Sequence, residues 1–229
     1  FQDLLVFEGG GQVIVEIFLV NLGNPQREVL FAGMLLEMLA QDPKSRVACE
    51  TMTTTGLVTV FGEMTTQARV DIAPLVRSVV TDIGYTSSEM GFDGSTCAVM
   101  VALGRQSPDI SQGVTEGAGL YNAQGAGDQG MMFGYACDET PELMPAPIRF
   151  AHRLIEQHRA MLTSRELSYL RPDAKSQVTL EYHGEQLARV HTIVLSTQHS
   201  EDVSHDQIEK DVIQKICKAV LPAKLLDDK

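Results

Sequence analysis

The six residues "GAGDQG" at positions 125–130 fit the spacing G-x-G-x-x-G, in which backbone N–H groups can approach a pyrophosphate. A dinucleotide site of that kind requires a strand immediately before the glycines and a helix immediately after them. The preceding stretch "QGVTEGAGLYNAQ" lacks strand character, and the carboxylate of Asp128 would repel a phosphate held in such a loop. The sequence therefore disfavours a dinucleotide fold, and the six residues taken alone are typical of a glycine-rich turn with a capping aspartate.

Longer motifs surround these six residues in a fixed order. Downstream of "GAGDQGMMFGYACDET" come "LMPAPIRFAHRL", "LRPDAKSQVT" and "VLSTQHSE". Upstream of it come "DPKSRVACE", "GEMTT", "DIGY", "MGFD" and "GRQSPDISQGV". In this order the motifs resemble the methionine adenosyltransferase family, also called S-adenosylmethionine synthetase. The resemblance runs from about residue 39 to residue 223, which is about four-fifths of the chain.

This resemblance implies an enzyme that joins L-methionine to ATP and releases phosphate and pyrophosphate. The methionine sulfur attacks C5′ of the ribose, and the triphosphate leaves whole before it is hydrolysed. A thioether is a modest nucleophile, so catalysis must come from orientation and from stabilising the charge of the leaving group. The family uses Mg²⁺ and K⁺, and it places each active site between two subunits whose flat sheet faces pack together. A homodimer or a dimer of dimers is therefore expected.

The resemblance assigns the nucleotide to two motifs. Asp128 of "GAGDQG" would lie beside the nucleotide and recognise a polar group, which removes the conflict with phosphate. In "RPDAKS", Asp173, Ala174 and Lys175 would contact ATP, and the catalytic Lys175 would offer positive charge to the phosphates. Without the resemblance, Lys175 would be interpreted as a solvated lysine in a loop.

The same reasoning places methionine and potassium upstream. Glu63 of "GEMTT" would meet the methionine amino group, Gln106 of "GRQSPD" would hold methionine as well, and Glu50 of "RVACE" would be a K⁺ ligand. Considered alone, Glu63 and Glu50 are carboxylates at strand ends, which are usually exposed surface charges. His199 of "STQHSE" also matches the family, and we interpret it as a hydrogen-bonded structural residue.

A long glycine-rich stretch, residues 104–130, shows almost no apolar periodicity and predicts a loop, and long loops inside compact domains are often functional. The resemblance predicts that part of it is a mobile segment that closes over the substrates. That segment comprises Gln106, Ser107, Pro108, Asp109, Ile110, Ser111, Gln112, Gly113, Val114, Thr115 and Glu116.

Two parts of the chain depart from the family. The family begins with a Ser-Glu-Gly-His-Pro-Asp-Lys motif, whereas the nearest match here is "LGNPQREV", with Asn24, Gln26 and Arg27 at the relevant places. Because an amide cannot titrate and is a poorer Mg²⁺ ligand than a carboxylate, no role is assigned to these three residues. The sequence also stops at "LPAKLLDDK", where the third domain of the family would begin.

These departures leave the function open between three hypotheses. The first is a methionine adenosyltransferase represented by an incomplete chain. The second is a non-catalytic paralogue or regulatory subunit that pairs with a catalytic subunit, and the third is a lone nucleotide-binding module. The expected organisation is a divergent segment at 1–38, a first unit at 39–130 and a second unit at 131–229.

Composition narrows the class of partner and compartment. The chain has 229 residues and a formal net charge of -12, which argues against nucleic acid or an anionic membrane as a partner. Its four cysteines form no C-x-x-C pair and match no zinc pattern, so we expect a reducing, cytoplasmic compartment. The first basic residue is Arg27, so the start of the sequence does not resemble a signal peptide.

The elements that must position these residues follow from local patterns. Strands are predicted at 13–20, 46–52, 57–63 and 96–103, the last of a buried type, and a turn at 22–28 precedes a helix at 29–41. Another helix, capped by Asp71, has an apolar face at Ile72, Leu75, Val76, Val79, Val80 and Ile83 and ends at Gly84.

The second half repeats this plan. A helix is predicted over about 146–162 and a hairpin over 177–197. A capping box of Ser204 and Gln207 then opens a helix whose inward positions are Ile208, Val212, Ile216 and Val220. The predicted fold class is α+β, with repeated strand-strand-helix units and mixed sheets. Helices would cover one face of each sheet, and the other face would lie at a subunit interface.

Overall fold

A computed structural model describes residues 13–21, 25–115, 117, 122, 131 and 133–226, with side chains from residue 33 onward. The strands are β1 (Val13–Asn21), β2 (Arg46–Thr54), β3 (Leu57–Thr65), β4 (Thr86–Ser87), β5 (Phe92–Asp93), β6 (Ala98–Arg105), β7 (Leu170–His183) and β8 (Gln186–His199). The α-helices are α1 (Pro25–Gln41), α2 (Ile72–Ile83), α3 (Pro108–Val114), α4 (Ala146–Thr163), α5 (His205–Asp211) and α6 (Lys218–Val220). Helix and sheet are mixed throughout, which confirms the predicted α+β class.

The chain divides into two compact units. One comprises residues 25–134, and the other combines residues 1–24 with residues 135–229. The second unit includes β1, which pairs antiparallel with β7 from Val13 opposite His183 to Asn21 opposite Lys175. A strand from the N-terminal segment therefore completes the sheet that carries the "RPDAKS" motif.

The unit of residues 25–134 is built on a three-stranded mixed sheet in the order β2-β3-β6. Strands β2 and β3 are antiparallel and turn at Thr55 and Gly56, where Gly56 has a φ of 70°. Strands β3 and β6 are parallel, and a parallel pair needs a crossover, which here contains α2. The core lies between the sheet and the two helices, with Met34, Met38, Val58, Val60, Val76 and Val80 almost fully buried.

Helix α2 agrees with its predicted pattern and departs from it at one end. Ile72, Val76, Val80 and Ile83 are buried, and Gly84 has the left-handed conformation of a helix-terminating glycine. Asp71 occupies the N-cap position, but its side chain makes no capping hydrogen bond, so the predicted cap is wrong. Since Asp71 gives no side-chain cap, this helix depends on the burial of its apolar face for stability.

The opposite face of the same sheet is apolar and exposed. Met52 is 57% exposed, Phe61 40% and Met100 55%. The sequence predicts a buried strand at 96–103, whereas β6 is mostly exposed in the single chain. Continuous apolar sequence predicts two covered faces, and the helices of this unit cover only one.

The second unit is an antiparallel sheet in the order β1-β7-β8, with α4 packed on β7 and β1. Its core contains Phe150, Leu154 and Ile155 of α4 together with Val178 and Leu180 of β7. The hairpin turns at Gly184, which has a φ of 64°, as the sequence "HGEQ" predicts. Both strands are longer than predicted, because β7 begins at Leu170 and β8 ends at His199.

The last predicted helix is interrupted. Ser204 accepts a hydrogen bond from the Gln207 backbone N–H at 3.3 Å, but the Gln207 side chain donates to Asp211 at 2.8 Å and does not close a capping box. A π-helical segment, Val212–Cys217, follows α5. The wider turn alters the spacing of the inward face, so Cys217 is buried beside Ile216, while Val212 and Val220 are half-buried.

Two further predictions are corrected by the backbone. Helix α1 begins at Pro25, four residues earlier than expected, because proline suits the first turn of a helix. The predicted loop at 104–130 contains the short helix α3. Among the described helices, none combines the length and the apolar character needed to cross a membrane.

Candidate active site

Several of the predicted site residues fall where the structure gives no description. Asp128 and the rest of "GAGDQG" lie outside the described residues, as do Glu116 and Asn24. Gln26 and Arg27 belong to the first turns of α1, with side chains that are not described. The remaining candidates divide between the two units, and each group is considered by itself.

The "RPDAKS" motif lies on β7 and not in a loop. Leu170 pairs with His199, and the next pair is Ala174 with Thr197, so β7 has two more residues than β8 in this interval. Such an irregularity releases the extra residues from the ladder and tolerates Pro172, which has no N–H to donate. The bulge therefore sets the direction of Asp173 just before the regular ladder resumes.

Beyond the bulge the strand alternates in the usual way. Ala174 and Ser176 are buried, whereas Lys175 between them is exposed. The Ser176 hydroxyl donates to the backbone carbonyl of Ala151 in α4 at 2.8 Å. Since successive side chains of a strand point to opposite faces, this contact directs Lys175 away from α4. Lys175 thus presents its charge on the open face of the sheet.

Asp173 has a carboxylate oxygen in an unusual environment. Its Oδ1 atom is buried and has no hydrogen-bond partner among the described residues. A buried acceptor without a donor is costly, and such atoms are rare in folded proteins. Within the described residues this oxygen therefore keeps an unused capacity to accept a hydrogen bond.

A buried histidine lies close to this carboxylate. His158 of α4 is 2% exposed, and its Nε2 atom is 2.7 Å from the Thr197 hydroxyl oxygen. The Thr197 hydroxyl donates to the carbonyl of Gln198 at 3.0 Å, so it accepts the proton of His158 Nε2. Burial lowers the pKa of His158 to about 4, while the negative charge of Asp173 opposes that change. The imidazole is neutral at ordinary pH.

His158 is not among the site residues predicted from the sequence. One available signal was its position one helical turn after Leu154 and three residues after Ile155, both of which are buried in α4. A histidine within an apolar helical stripe predicts a buried, hydrogen-bonded imidazole. The partner could not be inferred, because Thr197 is 39 residues away in the chain.

The predicted methionine and potassium residues share a sheet face in the other unit. Glu63 of β3 lies between Ala48 of β2 and Gly104 of β6, and Glu50 of β2 lies opposite Phe61. Because these positions alternate with the buried Val58 and Val60, they lie on the face that the helices do not cover. Glu50 is exposed and Glu63 half-buried, so the expected strand-end carboxylates are found within the strands.

Gln106 directly follows the last residue of β6, at the edge of the sheet where β3 ends and β2 begins. Its Oε1 atom accepts a hydrogen bond from Nε of Arg46 at 3.3 Å. Ser107 then caps α3 by accepting from the Asp109 N–H at 3.3 Å, and Val114 is buried with 4% exposure. The segment after Gln106 thus has a short helix with one anchored apolar residue.

His199, the last residue of β8, donates through Nδ1 to the Ser200 carbonyl at 2.7 Å. This local hydrogen bond agrees with the structural role assigned to it.

Candidate metal ligands among the described residues include the carboxylates of Glu50, Glu63 and Asp173, because hard cations prefer such oxygen ligands. No group of three or more metal-binding side chains converges within the described part of the chain.

Comparison with known proteins identifies the family. The model for the S-adenosylmethionine synthetase N-terminal domain matches residues 31–108, and the model for the central domain matches residues 123–229. The S-adenosylmethionine synthase of Desulfosudis oleivorans (strain DSM 6200 / JCM 39069 / Hxd3) is 49% identical over 211 residues, which cover 91% of this chain. The chain belongs to the S-adenosylmethionine synthetase family. It spans 54% of the length of this relative.

The two domain matches follow the two units of the chain. The N-terminal-domain match lies inside the unit of residues 25–134, and the central-domain match includes all of residues 135–229. The resemblance stated from the motifs is therefore confirmed. The family uses metal ions, and the carboxylate oxygens described above have the chemistry that such ions require.

Proposed function

We propose that the protein synthesises S-adenosylmethionine from ATP and L-methionine and releases phosphate and pyrophosphate. The observation that carries the proposal is the match of both family domains together with 49% identity to a protein named S-adenosylmethionine synthase. That identity does not favour the alternative of a non-catalytic regulatory subunit.

In the proposed reaction, the methionine sulfur forms a bond to C5′ of ATP and the C5′–oxygen bond breaks. The electron pair of that bond leaves with the triphosphate, which is then hydrolysed to phosphate and pyrophosphate. Lys175 presents an exposed ammonium on β7, where it can meet the negative charge of the leaving group. A cation fixed in advance costs no reorganisation when that charge develops.

The nucleotide would be recognised by Asp128, Asp173 and Ala174. The support for Asp173 is its buried Oδ1 atom, which has no donor among the described residues and would gain one from a bound nucleotide. Ala174 is buried and pairs with Thr197 in the ladder, so it would contact the nucleotide through its backbone and not through its side chain.

Methionine would be held by Glu63 and Gln106. Glu63 offers a carboxylate to the amino group on the open sheet face, and Gln106 offers an amide at the edge of the same sheet. Closure of residues 106–116 would then exclude water from the substrates. The existing contact of Gln106 with Arg46 would have to adjust when methionine binds.

Mg²⁺ and K⁺ are the proposed ions. Mg²⁺ would neutralise phosphate charge during departure of the triphosphate, and Glu50 would provide an oxygen ligand for K⁺.

We further propose a cytoplasmic homodimer, or a dimer of dimers, formed through the exposed apolar face that contains Met52, Phe61 and Met100. Apolar patches of this kind usually mark an interaction surface.

The test uses protein expressed with an affinity tag from the complete reading frame that encodes this sequence. Affinity purification separates it from the synthetase of the expression host. The assay follows S-adenosylmethionine by mass spectrometry with ATP, isotopically labelled methionine, Mg²⁺ and K⁺. We expect labelled product with phosphate and pyrophosphate in equal amounts. Binding of both substrates without product would instead indicate a non-catalytic subunit.

A further inference from the structure

Helix α4 is tied to the region of the "RPDAKS" strand by two polar contacts on either side of Lys175. One is the hydrogen bond from Ser176 to the Ala151 carbonyl at 2.8 Å. The other is the hydrogen bond between His158 and Thr197 at 2.7 Å, where Thr197 is the ladder partner of Ala174. The three residues before Ala174 have no ladder pair with β8 in the described part of the chain, so the Ala174–Thr197 pair is where the regular β7–β8 ladder resumes after them.

The choice of histidine at position 158 is not explained by packing alone. The residue is 2% exposed among apolar neighbours of α4, and a buried imidazole carries a desolvation cost that an apolar side chain avoids. The same region holds the Oδ1 atom of Asp173, which has no hydrogen-bond partner among the described residues. Placing a buried imidazole and a buried carboxylate oxygen in one region costs stability. Such a combination is typical of a functional site.

We infer that His158 is a positioning residue for ATP: through its hydrogen bond to Thr197 it holds the bulge of β7 so that the Asp173 carboxylate faces the nucleotide. This inference rests on the proposed function, because it needs ATP to be the ligand of Asp173. His158 is 2% exposed and would act only through Thr197, without a contact to the substrate. Because the imidazole is neutral, it does not offset the negative charge of Asp173.

The first test compares steady-state constants of four variants with the wild type. In His158→Leu and Thr197→Val the hydrogen bond is lost, and we expect the KM for ATP to rise about three- to tenfold, the range for one typical intramolecular hydrogen bond. The KM for methionine should stay within about twofold, since Glu63 and Gln106 lie in the other unit. His158→Gln keeps an N–H donor and should restore most of the ATP affinity.

The matched control is Tyr169→Phe, which removes a hydrogen bond of 3.0 Å to Asp211 in the same unit. We expect this variant to lose stability without a selective change in the KM for ATP. An unchanged KM for ATP in His158→Leu, or equal changes for both substrates, would overturn the inference and leave the proposed function standing. A wild-type protein that does not bind ATP would overturn both.

A second measurement needs no nucleotide. The pKa of His158 can be measured by NMR in the wild type and in Asp173→Asn. Asp173 is substituted because it is the charged group that acts on the pKa of this imidazole. We expect the pKa to fall further in Asp173→Asn, because the negative charge that stabilises the imidazolium is removed. The same pKa in both proteins would show that the two side chains are not coupled and would overturn the inference.

Discussion

Gly62 packs its Cα directly against the backbone carbonyl of Ala48 in the neighbouring strand, and no Cβ atom fits between them. Gly62 also has a φ of 135°, a conformation that other residues rarely adopt. It directly precedes Glu63, so the close approach of β2 and β3 fixes the position of the proposed methionine-binding carboxylate.

Gly62→Ala is therefore expected to destabilise the protein by about 3 kcal/mol or more, because a backbone clash and an unfavourable φ act together. Urea unfolding of the unit of residues 25–134 measures this loss. Gly56→Ala is a control with positive φ but open space, and should cost about 1 kcal/mol. Gly113→Ala, in α3 with open space, should be neutral or slightly stabilising. Equal effects of all three would contradict the role of the Ala48 contact.

Lys175→Ala should reduce kcat/KM by about 100- to 1,000-fold, which corresponds to ~2.7–4 kcal/mol for one preorganised charge contact. In the proposed mechanism the Lys175 ammonium meets the charge that the triphosphate gains, so kcat should fall more than the affinity for methionine. Lys210→Ala, another exposed lysine of the same unit, is the control and should leave the kinetics unchanged. An unchanged kcat/KM in Lys175→Ala would remove this residue from the proposed mechanism.

Protonation linked to His158 should lower the free energy of unfolding in mild acid. Its pKa in the folded protein is about 4, below the ordinary value of 6.5 that applies on unfolding. The unfolded state therefore binds the additional proton between these values, and the stability present above pH 6.5 is lost as the pH falls towards 4. Between pH 7 and pH 5 the loss should be about 2 kcal/mol. Denaturation of His158→Leu at both pH values should show a correspondingly smaller difference.

Residues 106–116 should exchange their amide hydrogens more slowly when ATP and methionine are bound. Helix α3 has only seven residues and is mostly exposed, with Val114 as its buried anchor. Its N–H groups at Ser111 and Thr115 bond to carbonyls within the segment and can open locally. Hydrogen exchange with and without substrates measures this change. Strong protection of these amides in the free protein would argue against closure.

Phe61→Glu should weaken the proposed dimer, because it places a charge on the apolar sheet face that one layer of helices leaves uncovered. Analytical ultracentrifugation at micromolar concentration should then show a shift towards monomer. Leu36→Glu changes an equally apolar residue, 67% exposed on α1, and should leave the oligomer intact. Dissociation by both variants would indicate a general loss of folding and not an interface on the sheet.

The sequence by itself determined the features that are encoded within a few neighbouring residues. The 3.6-residue pattern of α2, the left-handed Gly84 after it and the turn at Gly184 follow from local backbone preferences. The motifs from "DPKSRVACE" to "VLSTQHSE" likewise identified the family before any fold was known, because long motifs in a fixed order are specific.

Only the tertiary structure decided which distant segments meet. The pairing of β1 with β7, the bulge before Ala174 and the contact of His158 with Thr197 join residues far apart in the chain. The π-helical turn that buries Cys217 and the exposed face of β6 also depend on how completely each core is filled. Such features are selected by the free energy of the whole fold, in which packing overrides local propensity, so no short stretch of sequence specifies them.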